Sequence, residues 1–194
     1  IKGLHYMLDA LAAIKQQYPD VHLYVAGNCL LRMGPLAPLR ISGYGRLLEA
    51  QIQEYELTEH VTFLGSLNAE RMKEQYLRCN AYICVSSIEN SPNSLGEAML
   101  LGVPVVAALV GGVGSMISPE EGWLFQGFTK DEGGEMQRIS QDLREQVMEV
   151  FARQEQVTER TRKAREHARQ THDAEKNLRQ LLDLYRELAG KEYA

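Results

Sequence analysis

The sequence predicts an α/β fold: an open, parallel, Rossmann-like sheet with helices on both faces, followed by C-terminal helices. Two observations favour this class. Segments with helical periodicity alternate with short segments rich in β-branched residues over the first two thirds of the chain. The short segments are continuously apolar, which is typical of strands whose two faces are both covered by helices.

Helix and strand patterns alternate from the first residues onward. Leu4, Met7, Leu8 and Leu11 recur at helical spacing, and Pro19 follows the end of this pattern. A β-branched and aromatic run follows Pro19, as expected for a strand. The predicted elements up to residue 65 are a helix over 4–17, a strand over 21–26, a loop over 29–42, a helix over about 46–55 and a strand over 61–64.

The same alternation continues to residue 125. Asn68 is expected to cap a helix, since its side chain can accept a hydrogen bond from the first helical turn. Gly102 and Pro104 end the next helix. The predicted elements are a helix over 69–78, a strand over 81–85, a helix over 94–101, a strand over 104–108 and a strand over 123–125.

Charged side chains dominate the last third of the chain. Residues 131–194 hold 26 of the 47 charged residues, and 154–170 contain almost no large apolar residue, which predicts a solvated helix. A final helix carries an apolar stripe that we expect to dock on a neighbouring surface. The stripe consists of Leu178, Leu181, Leu182, Tyr185 and Leu188.

The domain boundaries follow from these patterns. We expect a Rossmann-like domain over residues 1–170 and an amphipathic C-terminal helix over 171–194. Because the chain opens on a helix, whereas such a domain should begin with a central strand, we expect that strand directly before Ile1.

Composition restricts the classes of function. The net charge of −5 argues against nucleic acid as the main partner. Three cysteines without metal-like spacing indicate reduced thiols and a cytoplasmic protein. The histidines are scattered, so we expect no metal site. The longest apolar stretch is interrupted by Gly102 and Pro104, and it is too short to cross a membrane.

The segment 86–106 carries the functional signal. Glu89 follows a predicted strand and therefore falls in the crevice where open α/β sheets bind ligands. Ser94 begins a predicted helix, whose first N–H groups suit an anionic or hydroxyl-rich ligand. Glu97 lies one turn later, and a carboxylate can accept two hydrogen bonds from a vicinal diol. Two alternatives stay open: Ser94 and Glu97 can form a local capping box, and Glu89 can be a solvated loop charge.

This segment resembles family-4 (group 1) retaining glycosyltransferases of the two-domain GT-B type. The shared pattern is a glutamate, seven residues and a second glutamate, followed by Ala-Met, a glycine and Pro-Val-Val. It is present here from Glu89 through Glu97 to Val106. The similarity extends to Lys2-Gly3, to VAGN at 25–28, VTFLG at 61–65, the glycine pair at 111–112 and EGWLF at 121–125.

The resemblance implies a catalytic role for two residues. Glu89 would contact the hydroxyls of the donor sugar near the reacting centre. Lys2 would pair with the diphosphate and stabilise the charge that develops on it as the sugar departs. Glu97 would hold the ribose hydroxyls of the nucleotide.

The resemblance also implies donor-binding backbone and loop positions. The amides of Asn93, Ser94 and Leu95 would face the sugar and diphosphate, and Gly65 and Ser66 would border the base. The arginine that usually binds the diphosphate in this family would lie before Ile1. Where the family often has an acidic residue after the glycine pair, this chain has Gly114 and Ser115.

The implied activity is transfer of a sugar from a nucleoside diphosphate sugar, with no metal or other cofactor. The chain would be the C-terminal, donor-binding domain, inactive alone, and a separate N-terminal domain would hold an unknown acceptor. Through that domain the protein can associate peripherally with the inner face of the membrane. Two alternatives remain: a nucleotide-sugar epimerase of the GT-B fold, or a non-catalytic nucleotide-binding α/β module.

Overall fold

A computed structural model describes residues 2–27, 42–126 and 135–191 of the chain. Helices and strands alternate over the first two described ranges, and three long helices follow. In chain order the elements are α1 (Leu4–Gln17), β1 (Leu23–Ala26), α2 (Gly43–Glu54), a short 3-10 helix (Thr58–His60), β2 (Val61–Gly65), α3 (Ala69–Arg78), β3 (Tyr82–Cys84), α4 (Asn93–Leu101), β4 (Val105–Leu109), α5 (Val113–Met116), β5 (Trp123–Gln126), α6 (Glu135–Ala152), α7 (Gln154–Thr171) and α8 (Ala174–Lys191).

Every strand pairing in the described ranges is parallel. β1 pairs with β2, and β3, β4 and β5 form a second sheet in that order. In the second sheet, Tyr82 is in register with Val105, and Val106 with Trp123. These pairings confirm the predicted parallel α/β architecture.

The central strand β4 shows that helices cover both faces of its sheet. Val106 and Ala108 belong to a core formed with α1, α2 and α6. Val105 and Ala107 point the other way, into a core formed with α4 and α7. All four side chains are fully buried, which explains why β4 is apolar at every position rather than at alternate ones.

Helix α6 was not predicted from the sequence, although it belongs to the main core. Its buried side chains face α1 and β5 and recur at helical spacing, which gives the helix one apolar face. These residues are Ile139, Leu143, Val147 and Val150.

The prediction for helix α7 was wrong. The segment 154–170 was expected to be a solvated helix, but Ala164 and Ala168 are buried against α4 and its neighbours. Arg160 lies over the Trp123 ring at 4.7 Å and donates a hydrogen bond to the carbonyl of Gly122 at 3.1 Å. Small side chains allow α7 to approach closely, so the absence of large apolar residues did not imply solvation.

Helix α8 carries the predicted apolar stripe, and within the described residues that stripe is exposed rather than docked. Its five members are 45–63% exposed, from Leu182 to Tyr185. No helix in the described part of the chain is long and apolar enough to cross a lipid bilayer.

Several predicted boundaries are accurate to a few residues. α1 and α3 have the predicted bounds, and the Asn68 side chain accepts a hydrogen bond from the Arg71 amide at 2.9 Å, as expected for a cap. α2 begins three residues earlier than predicted, because Ser42 caps it by accepting a hydrogen bond from the Gly45 amide. The predicted loop over 29–42 falls almost entirely outside the described residues.

Candidate functional site

The candidate site lies where β3 and β4 end and α4 begins. Parallel strands bring their carboxyl ends to one edge of a sheet, and ligands of open α/β folds bind beyond that edge. The segment 85–92 leaves β3 at this edge and leads directly into α4, while 110–112 leaves β4 beside it.

Gly3 brings the start of α1 to the same edge. It adopts a left-handed conformation with φ of 69°, and a Cβ at this position would overlap the carbonyl oxygen of Val85 at the end of β3. The preceding side chain, Lys2, donates a hydrogen bond from Nζ to Oε1 of Glu89 at 2.5 Å. The structure therefore joins two predicted catalytic residues that are 87 positions apart in the sequence.

Glu89 is mostly buried, whereas its partner is open to solvent. The Glu89 side chain is 14% exposed and that of Lys2 is 70% exposed. Partial burial raises the pKa of Glu89, but hydrogen bonds from Lys2 and Ser86 and the charge of Lys2 outweigh it, so the net pKa lies below 4.5. Because the pKa is lowered, the ion pair persists at neutral pH and is lost only as the pH falls through that lowered pKa. Glu89 is thus an ionised, anchored carboxylate and not a freely solvated loop charge.

The glycine pair at 111–112 supports the backbone of Glu89 from beneath. The Gly112 amide donates a hydrogen bond to the Glu89 carbonyl at 2.9 Å. A Cβ on Gly111 or Gly112 would overlap the carbonyl oxygens of Glu89 and Asn90, respectively. Only glycine fits this close approach, so the pair fixes the position from which the Glu89 side chain extends.

The start of α4 presents two predicted donor-binding amides. Asn93 and Ser94 are its first two residues, and their N–H groups have no acceptor one turn earlier in the helix. The Leu95 amide, also predicted to bind donor, donates to the Pro92 carbonyl at 3.0 Å, and the Leu95 side chain is fully buried. Leu95 therefore anchors the first helical turn in the core.

Ser94 and Glu97 do not form the capping box that the sequence left open. α4 begins at Asn93, its N-cap is Pro92, and no side chain caps it. Ser94 Oγ instead shares a 2.6 Å hydrogen bond with the Tyr82 hydroxyl, and the carboxylate of Glu97 accepts one from the Tyr76 hydroxyl at 3.2 Å.

Tyr76 and Tyr82 are the site residues that the sequence analysis missed. Their rings meet edge to face with centroids 5.8 Å apart beneath the start of α4. Burial raises the pKa of both phenols, and the negative charge of Glu97 raises that of Tyr76 further while Glu89 raises that of Tyr82. Both therefore stay neutral and able to donate. Through their hydroxyls they hold Glu97 and the first turn of α4 in place.

Gly65 and Ser66 lie at the carboxyl end of β2, in the two-stranded sheet. Gly65 adopts φ of 69°, and its carbonyl accepts a hydrogen bond from the Gly27 amide at 2.9 Å. Ser66 is exposed. Their role next to a base remains a prediction.

Across residues 2–27, 42–126 and 135–191, no group of three or more His, Cys, Asp or Glu side chains is arranged to hold a metal ion. Charged groups at this edge include Lys2, Glu89 and Glu97.

The Gly3 contact leads to a first testable prediction. Gly3→Ala should lower the free energy of unfolding by about 1–3 kcal/mol, because the substitution combines a positive φ with a steric overlap. Gly43→Ala is the matched control: Gly43 begins α2 in open space, so alanine there should be neutral or stabilise by up to about 1 kcal/mol. Urea denaturation of both variants measures the difference; equal stabilities would contradict the tight packing of Gly3 on Val85.

Comparison with known proteins identifies several similar sequences and structures. A family model for glycosyl transferases group 1 matches residues 1–167. The Bacillus subtilis glycosyltransferase YqgM is 32% identical over 111 residues, which cover 57% of this chain and 27% of that protein. The crystal structure of Anabaena HepE in complex with UDP-glucose is 26% identical, with a TM-score of 0.67, and the match covers 87% of this chain and 41% of that one.

A third similarity concerns the fold alone. The crystal structure of the C-terminal domain of LpcC, a group 1 family protein from Francisella tularensis, is 18% identical with a TM-score of 0.70. That match covers 88% of this chain and 80% of that domain. By contrast, the chain spans only 27%, 29% and 22% of three curated relatives that it matches.

Proposed function

The chain belongs to the group 1 glycosyl transferases, and we propose that it is the donor-binding, C-terminal domain of a retaining GT-B enzyme. The enzyme would transfer a sugar from a nucleoside diphosphate sugar to an acceptor and would keep the anomeric configuration. The domain would extend over residues 1–170, with 171–194 as a C-terminal helix, and a separate N-terminal domain would hold the acceptor.

One observation carries this proposal: the ion pair between Lys2 and Glu89 lies beside the amide-bearing start of α4, with Glu97 one turn further along. Cation, carboxylates and free amides at one sheet edge suit the parts of a nucleotide sugar, which are an anionic diphosphate, a sugar and a ribose. Anabaena HepE, similar in fold and at 26% identity, was crystallised with UDP-glucose, which supports the same class of donor here.

Each group has a separate task in the proposed complex. The amides of Asn93 and Ser94, at the positive end of the α4 dipole, would bind the diphosphate. Glu97 would accept hydrogen bonds from the two ribose hydroxyls. Gly65 and Ser66 would border the base.

The Lys2–Glu89 pair would act on the bond that breaks. As the bond between the anomeric carbon and the diphosphate oxygen lengthens, negative charge grows on that oxygen and positive charge grows on the sugar. Lys2 would stabilise the negative charge on the diphosphate oxygen. Glu89 would hold the sugar hydroxyls and so orient the anomeric carbon for reaction. Because Glu89 fixes Lys2 before the donor arrives, little reorganisation accompanies the reaction.

We propose that the enzyme works without a resident metal or organic cofactor. The acceptor would be a lipid, polysaccharide or small molecule bound by the other domain. The enzyme would act in the cytoplasm and can associate peripherally with the inner face of a membrane.

The test uses slow donor cleavage by water, which requires no knowledge of the acceptor. The full-length protein is incubated with UDP- and GDP-hexoses, and proton NMR follows the first sugar released from the active α-linked donor. We expect the α-anomer, released about 100- to 1,000-fold more slowly by Glu89→Gln. Release of the β-anomer would contradict retention. Conversion of the donor into an epimeric nucleotide sugar would identify an epimerase instead, and no change in any donor would favour a non-catalytic module.

A further inference from the structure

We propose that Tyr76 is a positioning residue for donor recognition: its buried hydroxyl holds the carboxylate of Glu97 in the orientation that accepts a ribose diol. The inference rests on the proposed function and extends it, because it assigns ribose selectivity to a residue that touches no part of the donor. The phenol acts only through Glu97 and through the first turn of α4.

The contacts of Tyr76 define which group donates. The residue lies near the end of α3 and is 4% exposed. Its hydroxyl is 3.2 Å from Oε2 of Glu97 and 3.0 Å from the carbonyl oxygen of Ser94. A carbonyl and a carboxylate are both acceptors, so the phenol is the donor and the two oxygens share its one proton.

The protonation state agrees with this geometry. Burial raises the pKa of Tyr76, and the neighbouring Tyr82 and Glu97 raise it further. The phenol therefore keeps its proton at neutral pH. A neutral, buried donor facing an exposed carboxylate is a fixed anchor, because the phenol has little freedom to turn towards water.

The bond from Tyr76 uses only part of the hydrogen-bonding capacity of the Glu97 carboxylate. Glu97 is exposed, and the phenol contacts Oε2 rather than Oε1. A glutamate side chain is flexible, and a bond to one oxygen restricts the rotations that would carry the other away from the ribose. An ionised carboxylate accepts about four hydrogen bonds, so the phenol leaves enough capacity for two hydroxyls.

The same hydroxyl also ties Glu97 to the diphosphate side of the site. The Ser94 carbonyl that contacts Tyr76 belongs to the residue whose amide would bind the diphosphate. Tyr82 fixes the Ser94 side chain separately, at 2.6 Å. One hydroxyl thus links the carboxylate proposed to bind the ribose to the turn proposed to bind the diphosphate.

The experiment compares ribose with dideoxyribose in the nucleotide. Calorimetry measures Kd of the full-length protein for UDP, GDP and ADP and for their 2′,3′-dideoxy forms. The wild type should bind the ribonucleotide more tightly by about 10- to 100-fold, the range for hydrogen bonds to a charged group. In Tyr76→Phe this ratio should fall about tenfold, through weaker ribonucleotide binding with little change for the dideoxy form.

The controls separate positioning from general damage. Tyr55→Phe removes a similar phenol, which donates to Asp9 Oδ1 at 3.2 Å away from the site, and should keep the wild-type ratio. Glu97→Gln should lower the ratio, and adding Tyr76→Phe to it should have little further effect. A tyrosine variant that loses affinity for both nucleotide forms equally, or keeps the full ratio, would overturn the assignment.

Two further outcomes are also decisive. If the wild type binds none of the nucleotides, the proposed function fails and this inference fails with it; if it binds them but Tyr76→Phe keeps the ratio, only the inference fails. If Tyr76→Phe does not fold, the Tyr76 ¹³Cζ resonance of the wild type serves instead. That resonance should shift on binding UDP and not on binding its dideoxy form, and equal shifts would overturn the proposal.

Discussion

Glu89→Gln is expected to slow sugar transfer by about 100- to 1,000-fold, the loss typical of removing one preorganised charge or donor from an active site. Glutamine keeps the size of the side chain but removes the charge that pairs with Lys2 at 2.5 Å. Without that charge Lys2, which is 70% exposed, would sample many orientations in water.

The kinetic pattern distinguishes this role from simple donor binding. We expect kcat to fall while Kd for UDP stays within about threefold of wild type, because the interaction lost is strongest in the transition state. Glu70→Gln, an exposed glutamate in the first turn of α3, is the control and should leave both values unchanged. A normal kcat in Glu89→Gln would remove this residue from the catalytic machinery.

Trp123→Ala should produce the largest loss of stability, about 3–5 kcal/mol. The ring is fully buried in β5, in register with Val106, and Arg160 of α7 lies over it at 4.7 Å. Truncation would leave a cavity in the main core and remove the surface on which α7 docks.

Urea denaturation measures this effect, and Leu77→Ala provides the matched control. Leu77 is a large apolar residue that is 61% exposed on α3, so its truncation should change stability by no more than about 0.5 kcal/mol. A Trp123→Ala loss as small as that of the control would contradict the position of this ring between the sheet and the C-terminal helices.

The sequence predicted the bounds of elements whose signals lie within a single short segment. α1 and α3 have the predicted bounds because the helical periodicity of each, and the Asn68 cap of α3, lie within the segment itself. α6 was missed although it too has one apolar face. Its surface charges concealed the spacing of Ile139 and Leu143, which are buried against β5 and against α1, more than a hundred residues earlier in the chain.

The candidate site depends on contacts between residues far apart in the sequence, which the local sequence does not predict. The proposed role of Lys2 came from family resemblance alone, and its bond to Glu89 closes a loop of 87 residues. Tyr76 and Tyr82 looked like ordinary residues of a helix and a strand. Their importance follows from long-range hydrogen bonds to Glu97 and Ser94, which no spacing rule predicts.

The most direct test of the central claim is a crystal structure of the full-length protein with UDP-glucose bound. We expect the diphosphate at the amides of Asn93 and Ser94, the ribose at Glu97, and the sugar beside the Lys2–Glu89 ion pair. The claim would be contradicted by a nucleotide bound elsewhere, for example in the groove of about 800 Å³ between α1 and α6 that Gln17, Arg144 and Glu149 help to line.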